Sequence, residues 1–554
     1  MCEEFIICCY ACWLAGYKVI PLPPIDSEPK LIDEDCGAFV RIVKQFKVSA
    51  IFVNNDTEHS LKNKPVSSKL KTTSQTQKVV LPKLRNTSKH TKNPHSPKTV
   101  YDKMTQYRKR HHYKQGNEAL VWIVFDADHS YNSIRLSHET MLNTCKTLKE
   151  TCQISSMKPL LACVRHHFGL GFIQTVLMGI YLGTETYLIT PVEYFTNTAS
   201  FYLSLSRYKI ENVYMTDMML LHATQIIRNP SVHKIDLSHL KNLMIGWPNR
   251  PSIGIVKEFI KKFQVWEISA SVVSNVYQHM NNPLLTLRSY LNFEPVNLWI
   301  DPIALSQGYI SLVNPNDSPN SIPVQDSGVV SVNTQIVIVN PETKQICKVG
   351  EFGEIWSCSE STTMASKMDR IEGWNEDLNY FRTGDFGFLH NVTKTSTEKR
   401  GGTGGGPIEL QLLFNLGKIE ETFEHLGLLY FVQDIEYTIE SVFYEFVSNS
   451  MVCKIGSYVI LMIESLQRSN KSLSSLVPLF VDKILSKFSL VVDIVVFADL
   501  PVSRIGENQR YKTMRRFLNG TLKIKGSYGV NFGEISSINS VKLIDSVIRS
   551  VQST

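Results

Sequence analysis

The chain has 554 residues, of which 43% are apolar and 20% are charged, and its formal net charge is +7. Single cores stop growing at about 250–300 residues, so this length and apolar content exclude a single small domain and indicate a globular protein of at least two domains. The 11 cysteines are odd in number and scattered, which argues against a disulfide framework and favours a reducing, intracellular compartment.

The N-terminal segment MCEEFIICCYACWLAGYKVIPLPPI contains a short apolar run. Its flank is acidic and the run ends at Gly16 after about a dozen residues, short of the ~20 that span a bilayer. We therefore predict a core helix over Phe5–Gly16 and a strand over Lys18–Leu22, with no signal peptide. Cys9 and Cys12 form a C-x-x-C motif, but no second pair of cysteines or histidines follows at the spacing of a zinc site. We therefore interpret them as buried cysteines of a helix.

Positive charge concentrates between Asp56 and Lys114, where 15 Lys/Arg face three acids and the net charge is +12, leaving −5 elsewhere. The segment is rich in Ser, Thr, Asn and Pro, so we predict a basic disordered insertion over residues 56–115. Its role is either a solvated spacer or attachment to an anionic surface. The charges are diluted and lack interleaved aromatics, which favours the spacer, keeps an anionic membrane surface as the alternative and argues against nucleic acid.

The stretch IVFDADHSYNSIRLSHETML, beginning at Ile123, predicts a strand, a polar loop over Asp126–Arg135 and a helix. Strand, loop and helix is the usual layout of a phosphate-binding site, but this loop has neither glycine nor lysine.

Downstream, apolar strand-like runs alternate with amphipathic stretches, which predicts βαβ units and a mainly parallel sheet. The predicted strands are Leu120–Phe125, Glu185–Ile189, Asn212–Met215 and Leu240–Ile245, and the predicted helices are His138–Thr151, Leu170–Leu182 and Ile255–Phe263. From Ser327 short strands predict an antiparallel subdomain, and EKRGGTGGGP at residues 398–407 predicts a flexible loop. From Lys418 the pattern predicts a small α+β domain with strands over Ser457–Ile463 and Leu490–Phe497.

The motif YFRTGDFGFL holds Asp385 between two glycines after a strand end. Such an aspartate can direct both carboxylate oxygens at vicinal hydroxyls, as a ribose requires. On these residues alone an ordinary Thr-Gly-Asp turn is an equally good interpretation.

Three ordered motifs, RTGDFGFL, LGKIEETFEHLGLLYFVQDIEYTI and LPVSRIGENQRYKTMRRFL, resemble the acyl-adenylate-forming (AMP-binding) superfamily. Within it, the chain most resembles the fatty-acyl-AMP-ligase-like domains of the disco-interacting protein 2 family, whose members carry two such domains in tandem. The resemblance also takes in CYACWLAGYKVIPLPPI and ACVRHHFGLGFIQTVLMGIYLG, and it covers nearly the whole chain apart from the basic insertion and the last thirty or so residues.

The resemblance implies an α/β fold with a large adenylate-forming N-terminal domain, built of parallel sheets with helices plus a small antiparallel β subdomain, and a small α+β C-terminal domain. The predicted boundaries are 1–55 for the start of the adenylating domain, 56–115 for the insertion, 116–417 for its remainder, 418–525 for the C-terminal domain and 526–554 for a tail. Because the matched helix begins at residue 5, we expect the start of the adenylating domain to be missing, as in a truncated product or the second half of a tandem protein.

In this superfamily ATP and a carboxylic acid give an acyl-adenylate and pyrophosphate, a reaction that depends on phosphate-cradling backbone, a metal and cations. The resemblance thus implies ATP or AMP and magnesium as cofactors. It assigns Asp385 to ribose binding, with Thr383 and Gly384 in the same motif. It places Lys418 beside the position of a ribose-contacting basic residue. It assigns His166 to the acyl pocket.

Other positions depart from the family pattern. We therefore assign no catalytic or metal-binding residue. Asp126 and Asp128 lie where triphosphate would be expected. The metal-binding glutamate falls at Ser274, and the lysine of the C-terminal motif is replaced near Glu507 and Asn508, with Arg510 too far along to substitute.

These departures favour a divergent domain that acts in fatty acid or diacylglycerol metabolism. Its adenylation activity is expected to be weak or lost, which would make it a pseudoenzyme. An active fatty-acyl-adenylate ligase or acyl-CoA synthetase, and a membrane-surface or scaffold module acting through the insertion, remain the alternatives. The expected partners are a fatty-acyl or other lipid ligand and an upstream tandem adenylating domain. The expected location is cytoplasmic, with peripheral attachment to organelle membranes.

Overall fold

The computed structural model describes residues 3–25, 28–29, 31–89, 96–110, 118–164, 167–288, 293–363, 368–374, 377–394, 408–466, 470–503, 506–529 and 533–534. The α-helices within these ranges are α1 (Glu3–Leu14), α2 (Ile32–Gln45), α3 (Asn55–Lys62), α4 (Lys64–Thr76), α5 (Pro97–Arg110), α6 (His138–Cys152), α7 (Gly169–Phe172), α8 (Gly179–Leu182), α9 (Pro191–Thr196), α10 (Thr198–Arg207), α11 (Asp217–Ile226), α12 (Ile253–Phe263), α13 (Pro302–Ser306), α14 (Val432–Val442), α15 (Asn470–Phe488) and α16 (Arg510–Leu518).

The strands in the same ranges are β1 (Ile51–Val53), β2 (Leu84–Asn86), β3 (Leu120–Phe125), β4 (Tyr131–Leu136), β5 (Leu160–Ala162), β6 (Thr186–Leu188), β7 (Asn212–Thr216), β8 (Asn242–Gly246), β9 (Val273–His279), β10 (Asn282–Leu287), β11 (Asn297–Ile300), β12 (Ile322–Gln325), β13 (Val329–Val330), β14 (Thr334–Val339), β15 (Gly353–Ser359), β16 (Met368–Asp369), β17 (Tyr380–Lys394), β18 (Ile408–Lys418), β19 (Thr422–His425), β20 (Leu428–Phe431), β21 (Val447–Ile455), β22 (Tyr458–Ser465), β23 (Ile494–Ala498), β24 (Ile524–Gly529) and β25 (Gly533–Glu534).

A seven-stranded sheet in the order β13-β10-β9-β8-β7-β5-β6 forms the centre of the N-terminal part. Its strands are parallel from β6 to β9 and antiparallel at β10 and β13. All five residues of β8 are buried, as expected for a strand covered on both faces. Helices α6, α10 and α12 bury their apolar faces in the same core. The predicted α/β class with a mainly parallel sheet is confirmed.

The N-terminal helix is α1, which buries Cys9 and Trp13. The strand predicted over Lys18–Leu22 is wrong in extent, because only a single bridge between Val19 and Leu120 forms there. Among the described residues, no helix is long and apolar enough to cross a membrane.

The second half of the segment predicted as a polar loop over Asp126–Arg135 is a strand. β3 and β4 form an antiparallel hairpin with Leu120 opposite Leu136 and Phe125 opposite Tyr131. Only residues 126–130 remain as the turn, which we call the hairpin tip. The Asp126 carboxylate accepts the Ser130 amide at 2.8 Å, a local bond typical of aspartate in turns. Helix α6 follows β4 directly and is capped by Ser137.

The prediction of disorder is wrong for the described part of the basic segment. Helices α3 and α4 and strands β1 and β2 form with α2 a small core that includes buried Leu61, Val66 and Leu70. Val66 and Leu70 are four residues apart and therefore share one helix face. The lysines of α4 lie at exposed or partly exposed positions, so high charge and a small apolar core coexist in this segment.

The second half begins with an antiparallel sheet in the order β14-β15-β17-β16, and β18 pairs with β17 in a long hairpin. The predicted glycine-rich loop at 398–407 lies outside the described residues. A second five-stranded sheet, β21-β22-β23-β24-β25, packs with α14 and α15. Only the β22–β23 pair is parallel, consistent with the predicted small α+β C-terminal domain.

One apolar core joins these two sheets across residue 418. It contains Ile300 and Val324 from the N-terminal side, Phe386 and Leu416 from the β17–β18 hairpin, and Ile435 with many other residues of the C-terminal sheet and helices. The C-terminal domain is therefore packed directly on the antiparallel subdomain.

Candidate functional site

The Thr-Gly-Asp motif bends strand β17 at Gly384. Gly384 has φ +77°, a left-handed backbone conformation that glycine adopts without a Cβ penalty. The Thr383 hydroxyl donates to the Ile355 carbonyl at 2.7 Å and accepts the Asp385 amide at 3.1 Å. This part of the strand is thus fixed by hydrogen bonds on both sides of the glycine. The prediction that Asp385 follows a strand end is wrong, because β17 runs without a break over Tyr380–Lys394. Asp385 lies opposite Lys418 of β18 in the strand register.

The Asp385 carboxylate is held by a tyrosine from the central sheet. The Tyr277 hydroxyl, on β9, donates to Oδ2 of Asp385 at 2.6 Å. Burial raises the pKa of Asp385 to about 6, although the Tyr277 hydrogen bond and the Lys418 charge oppose this shift. Burial also raises the pKa of Tyr277 well above its usual value, so the hydroxyl remains a donor.

Lys418 is the cation of this site, and its ammonium lies 3.7 Å from the Glu421 carboxylate. Burial alone would lower its pKa, but the Glu421, Glu420, Glu507 and Asp385 carboxylates outweigh that effect and raise it. Four carboxylates thus influence one lysine, and the immediate field of the site is acidic.

The buried carboxylate of Glu354 also holds this part of β17. Glu354 accepts the Gly384 amide at 3.1 Å and the Trp356 indole N–H at 2.9 Å. Its Oε2 also lies 2.8 Å from a guanidinium nitrogen of Arg382. Glu354, Arg382 and Gly384, with Met368, Asp369 and Thr383, line a cleft of about 340 Å³. The motif therefore lies at the edge of a cavity rather than in a solid core.

Two further residues of the site, Tyr277 and His279, were given no role by the sequence-based predictions. Burial lowers the pKa of His279 to about 4, although a hydrogen bond with the Thr383 backbone opposes this shift. Its ring packs on Phe381 at 4.8 Å between centroids. The alternation of strand β9 places both side chains on one face, a signal that the sequence contained but that requires the strand register to interpret.

Ser274 does not reach this site. It is nearly fully buried near the amino end of β9, beside Met244 of β8. It is three residues from Tyr277 and therefore faces the opposite side of the strand. That the family's metal-binding glutamate falls at Ser274 stays a prediction.

Asn508 is bonded within the C-terminal domain. Its side chain accepts from Asn449 at 2.6 Å and donates to the Ser450 carbonyl at 2.7 Å. It therefore secures the loop before α16, while its neighbour Glu507 acts on Lys418 through its charge. His166 lies outside the described residues. Thr383, Gly384, Asp385 and Lys418 are the predicted residues that the structure brings together.

Asp128, at the hairpin tip, is bonded to the C-terminal domain. Its carboxylate accepts the backbone amides of Tyr511 and Lys512, each at 2.9 Å. These two amides lie in the first turn of α16, where backbone N–H groups lack partners within the helix. The carboxylate that the sequence located at the phosphate position thus serves as a helix cap.

The arrangement suits recognition of a polar, uncharged group. Asp385 follows the cleft-lining Gly384 in the chain, and one of its carboxylate oxygens is already oriented by Tyr277; carboxylates of this kind accept hydroxyl donors in pairs. The surrounding carboxylates disfavour a ligand with several negative charges at the same place. A neutral diol fits the charges of these residues better than a polyphosphate does.

Several known proteins resemble this chain in sequence. Residues 420–527 match the family model described as Disco-interacting protein 2-like, AMP domain. The chain is 35% identical over 537 residues to the uncharacterized protein C56F8.02 of Schizosaccharomyces pombe, a match covering 94% of this chain and 34% of that protein. It is 31% identical over 599 residues to the protein named homeostatic regulator of DAG of Saccharomyces cerevisiae, covering 97% of this chain and 35% of that protein.

Among solved structures, the chain resembles a fatty acyl-adenylate ligase from L. pneumophila in complex with acyl adenylate and pyrophosphate. The TM-score is 0.59 at 17% identity, over 96% of this chain and 87% of that one. A structure from a study of fatty acyl-adenylate ligases of E. coli and L. pneumophila gives a TM-score of 0.71 at 13% identity, over 94% and 87%. These structures share the fold. The chain spans about a third of the length of the first two curated relatives.

Proposed function

Because this chain is an adenylate-forming domain of the Disco-interacting protein 2 type, we propose that it binds a nucleoside through Asp385 and has weak or no adenylation activity of its own. The observation that carries the proposal is the hydrogen bond of 2.6 Å between Tyr277 and Asp385. It orients a carboxylate next in sequence to the cleft-lining Gly384, and we propose that this carboxylate accepts the two hydroxyls of a ribose.

The nucleoside end of ATP and its phosphate end fit the chain differently. Asp385, Lys418 and the Gly384 turn suit a ribose. The hairpin tip, which the family resemblance assigns to the phosphate loop, has no lysine; it carries Asp128, whose carboxylate caps α16, and Asp126, whose carboxylate accepts the Ser130 amide. Two carboxylates near a phosphate repel it unless a metal intervenes. We therefore propose no phosphoryl step through these residues.

A lipid is the second ligand that we propose. Two observations support it: the fold is that of ligases solved with acyl adenylate, and a relative is named a homeostatic regulator of DAG. We infer that the domain binds a fatty-acyl chain and acts in the control of diacylglycerol, while an adenylating domain elsewhere in a longer protein carries the chemistry.

The test is a calorimetric titration of the chain with AMP, with and without a long-chain fatty acid, repeated on Asp385→Ala. We expect saturable AMP binding that Asp385→Ala abolishes and fatty-acid binding that it leaves intact. A matched control is Asp301→Ala, which removes only a helix cap at α13. AMP binding that survives Asp385→Ala would refute the nucleoside site.

Loss of adenylation is tested separately. The chain is incubated with ATP, magnesium and a long-chain fatty acid, and acyl-adenylate is measured by mass spectrometry beside an active fatty-acyl-adenylate ligase. We expect no product above the background of heat-denatured chain. Catalytic turnover would favour the active-ligase alternative.

A second candidate function is attachment to an anionic membrane. The folded basic segment favours it, because exposed lysines surround a small apolar core and are fixed to a surface. Replacing Lys64, Lys71, Lys78 and Lys83 by Gln is expected to reduce binding to vesicles containing phosphatidylserine. The control replaces the exposed Lys234, Lys257, Lys261 and Lys348. Equal loss in both variants would contradict a specific role for this segment.

A further inference from the structure

The N-terminus of helix α16 has no cap from its own sequence. Gln509 occupies the capping position without a side-chain bond to the helix, and the first turn contains no acidic residue. The first amides of a helix have no intrahelical partner and carry a partial positive charge. A nine-residue helix that begins without a cap therefore depends on another part of the molecule.

The hairpin tip supplies the missing cap. Oδ2 of Asp128 accepts the Tyr511 amide and Oδ1 accepts the Lys512 amide, each at 2.9 Å. Both oxygens are used and the acceptor is charged, so these are among the stronger capping bonds. The cap belongs to the N-terminal domain and the helix to the C-terminal domain, so the bond joins the two.

Neighbouring contacts align the two surfaces. The buried Gln509 side chain donates to the Ala127 carbonyl at 3.0 Å. The Lys512 ammonium lies 2.6 Å from the Glu34 carboxylate of α2. The junction thus combines the hairpin tip, α2 and the start of α16, and Asp128 is the residue that satisfies the helix amides.

The first residue of α16 and the loop before it carry contacts that lead toward the Asp385 site. Arg510, the first residue of α16, pairs with Glu436 through two bonds of 2.7 Å and lies 3.9 Å from Glu421. Glu507, in the loop before α16, raises the pKa of Lys418. Whatever fixes the start of α16 therefore also fixes the charges beside Lys418.

We propose that Asp128 is an intramolecular latch that fixes the start of α16, in the C-terminal domain, on the β3–β4 hairpin by capping that helix from the other domain. The proposal goes beyond nucleoside binding, because it concerns the arrangement of the domains in the ligand-free protein. Release of the latch would expose the N-terminus of α16 and free the loop that carries Glu507.

The experiment is amide hydrogen exchange on the whole ligand-free chain, comparing wild type with Asp128→Ala. We expect exchange at Tyr511 and Lys512 to be about tenfold faster in the variant, because a lost cap destabilises the first helical turn. The control Asp126→Ala removes the neighbouring carboxylate, which bonds only within the tip among the contacts that the structure gives it.

The same exchange data separate opening from unfolding of the hairpin. Protection of Leu120 and Trp122 in β3 should stay at the wild-type level in Asp128→Ala. Wild-type exchange in α16, or a loss of protection in α16 that β3 shares equally, would overturn the latch. Neither result depends on ligand binding, so failure here is distinguishable from failure of the proposed function.

Discussion

The buried carboxylate of Asp385 carries a cost in stability at neutral pH. Its pKa in the folded chain, about 6, lies above the ordinary value of 3.8 because of burial. The protonated form therefore stabilises the fold fully below about pH 4, and this contribution is lost as the pH rises through about 6. The site keeps an unfavourable charge at neutral pH, as functional sites often do.

Replacing Asp385 by Asn should remove this pH dependence. We expect Asp385→Asn to be more stable than wild type at pH 7.5, by about 1–2 kcal/mol after allowance for partial exposure, and nearly equal to it at pH 4. Denaturant unfolding at both pH values measures the difference. A variant that is less stable at pH 7.5 would show that the Lys418 attraction outweighs the burial of the charge.

Tyr277 acts through Asp385. Tyr277→Phe removes the donor that holds down the pKa of Asp385, so a larger fraction of the carboxyl is protonated near neutral pH. We expect AMP affinity to fall several-fold at pH 6.5 and less at pH 8.5. Tyr214→Phe is the matched control, because its hydroxyl bonds Gln278 on the other face of β9. An equal loss at both pH values would argue against a role through the carboxyl.

At the scale of elements, the sequence predicted regular units well and charged ones poorly. Strand β7 and helix α6 appear within a residue or two of their predicted bounds, because their apolar patterns match one period. The basic segment was misjudged because 15 cations obscured a few apolar residues at helical spacing. The hairpin β3–β4 was misjudged because Tyr131–Leu136 has few apolar residues and its pairing partner precedes the turn.

The folded state of the basic segment is directly testable. Leu70→Ala deletes a buried side chain of α4, and we expect a loss of about 2–4 kcal/mol in the unfolding free energy of the subdomain that contains it. Hydrogen exchange of α2 and α4 measures the local effect. Lys71→Ala, at an exposed position on the same helix, should change it by less than about 0.5 kcal/mol. Equal, negligible effects would restore the prediction of disorder.

The residues of the site also differ in how far they could be predicted. The motif located Thr383, Gly384 and Asp385, because these three residues are consecutive in the sequence. Tyr277 comes from a strand more than a hundred residues away, and only the fold brings it to Asp385. The capping role of Asp128 was inaccessible for the same reason, since its partners lie 383 and 384 residues along the chain.

At the scale of the whole molecule, a buried ion pair joins the domains at a second place. Arg250 and Asp434 form bonds of 2.8 and 2.9 Å with side chains about one-tenth exposed, and Arg250 also donates to the Leu416 carbonyl. Together with the apolar core across residue 418, this pair makes the C-terminal domain an integral part of the fold.

Removing one partner of this ion pair should lower the unfolding free energy more than replacing both partners by apolar residues does. We expect Asp434→Ala to lower the unfolding free energy by about 3–5 kcal/mol, because Arg250 is left buried without its counter-charge. The double variant Arg250→Met with Asp434→Leu should recover most of the loss. Denaturant unfolding of the single and double variants measures both. A double variant as unstable as the sum of its parts would contradict this account.

The central claim is that the site retains the nucleoside end of ATP and not the phosphate end. The most direct measurement is the calorimetric affinity of the whole chain for adenosine, AMP and ATP with magnesium, under one set of conditions. The acidic surroundings of Lys418 and the carboxylates of the hairpin tip predict that adenosine and AMP bind at least as tightly as ATP. Affinity that instead rises steadily from adenosine to ATP would contradict it, because the added phosphates would then be gaining favourable contacts.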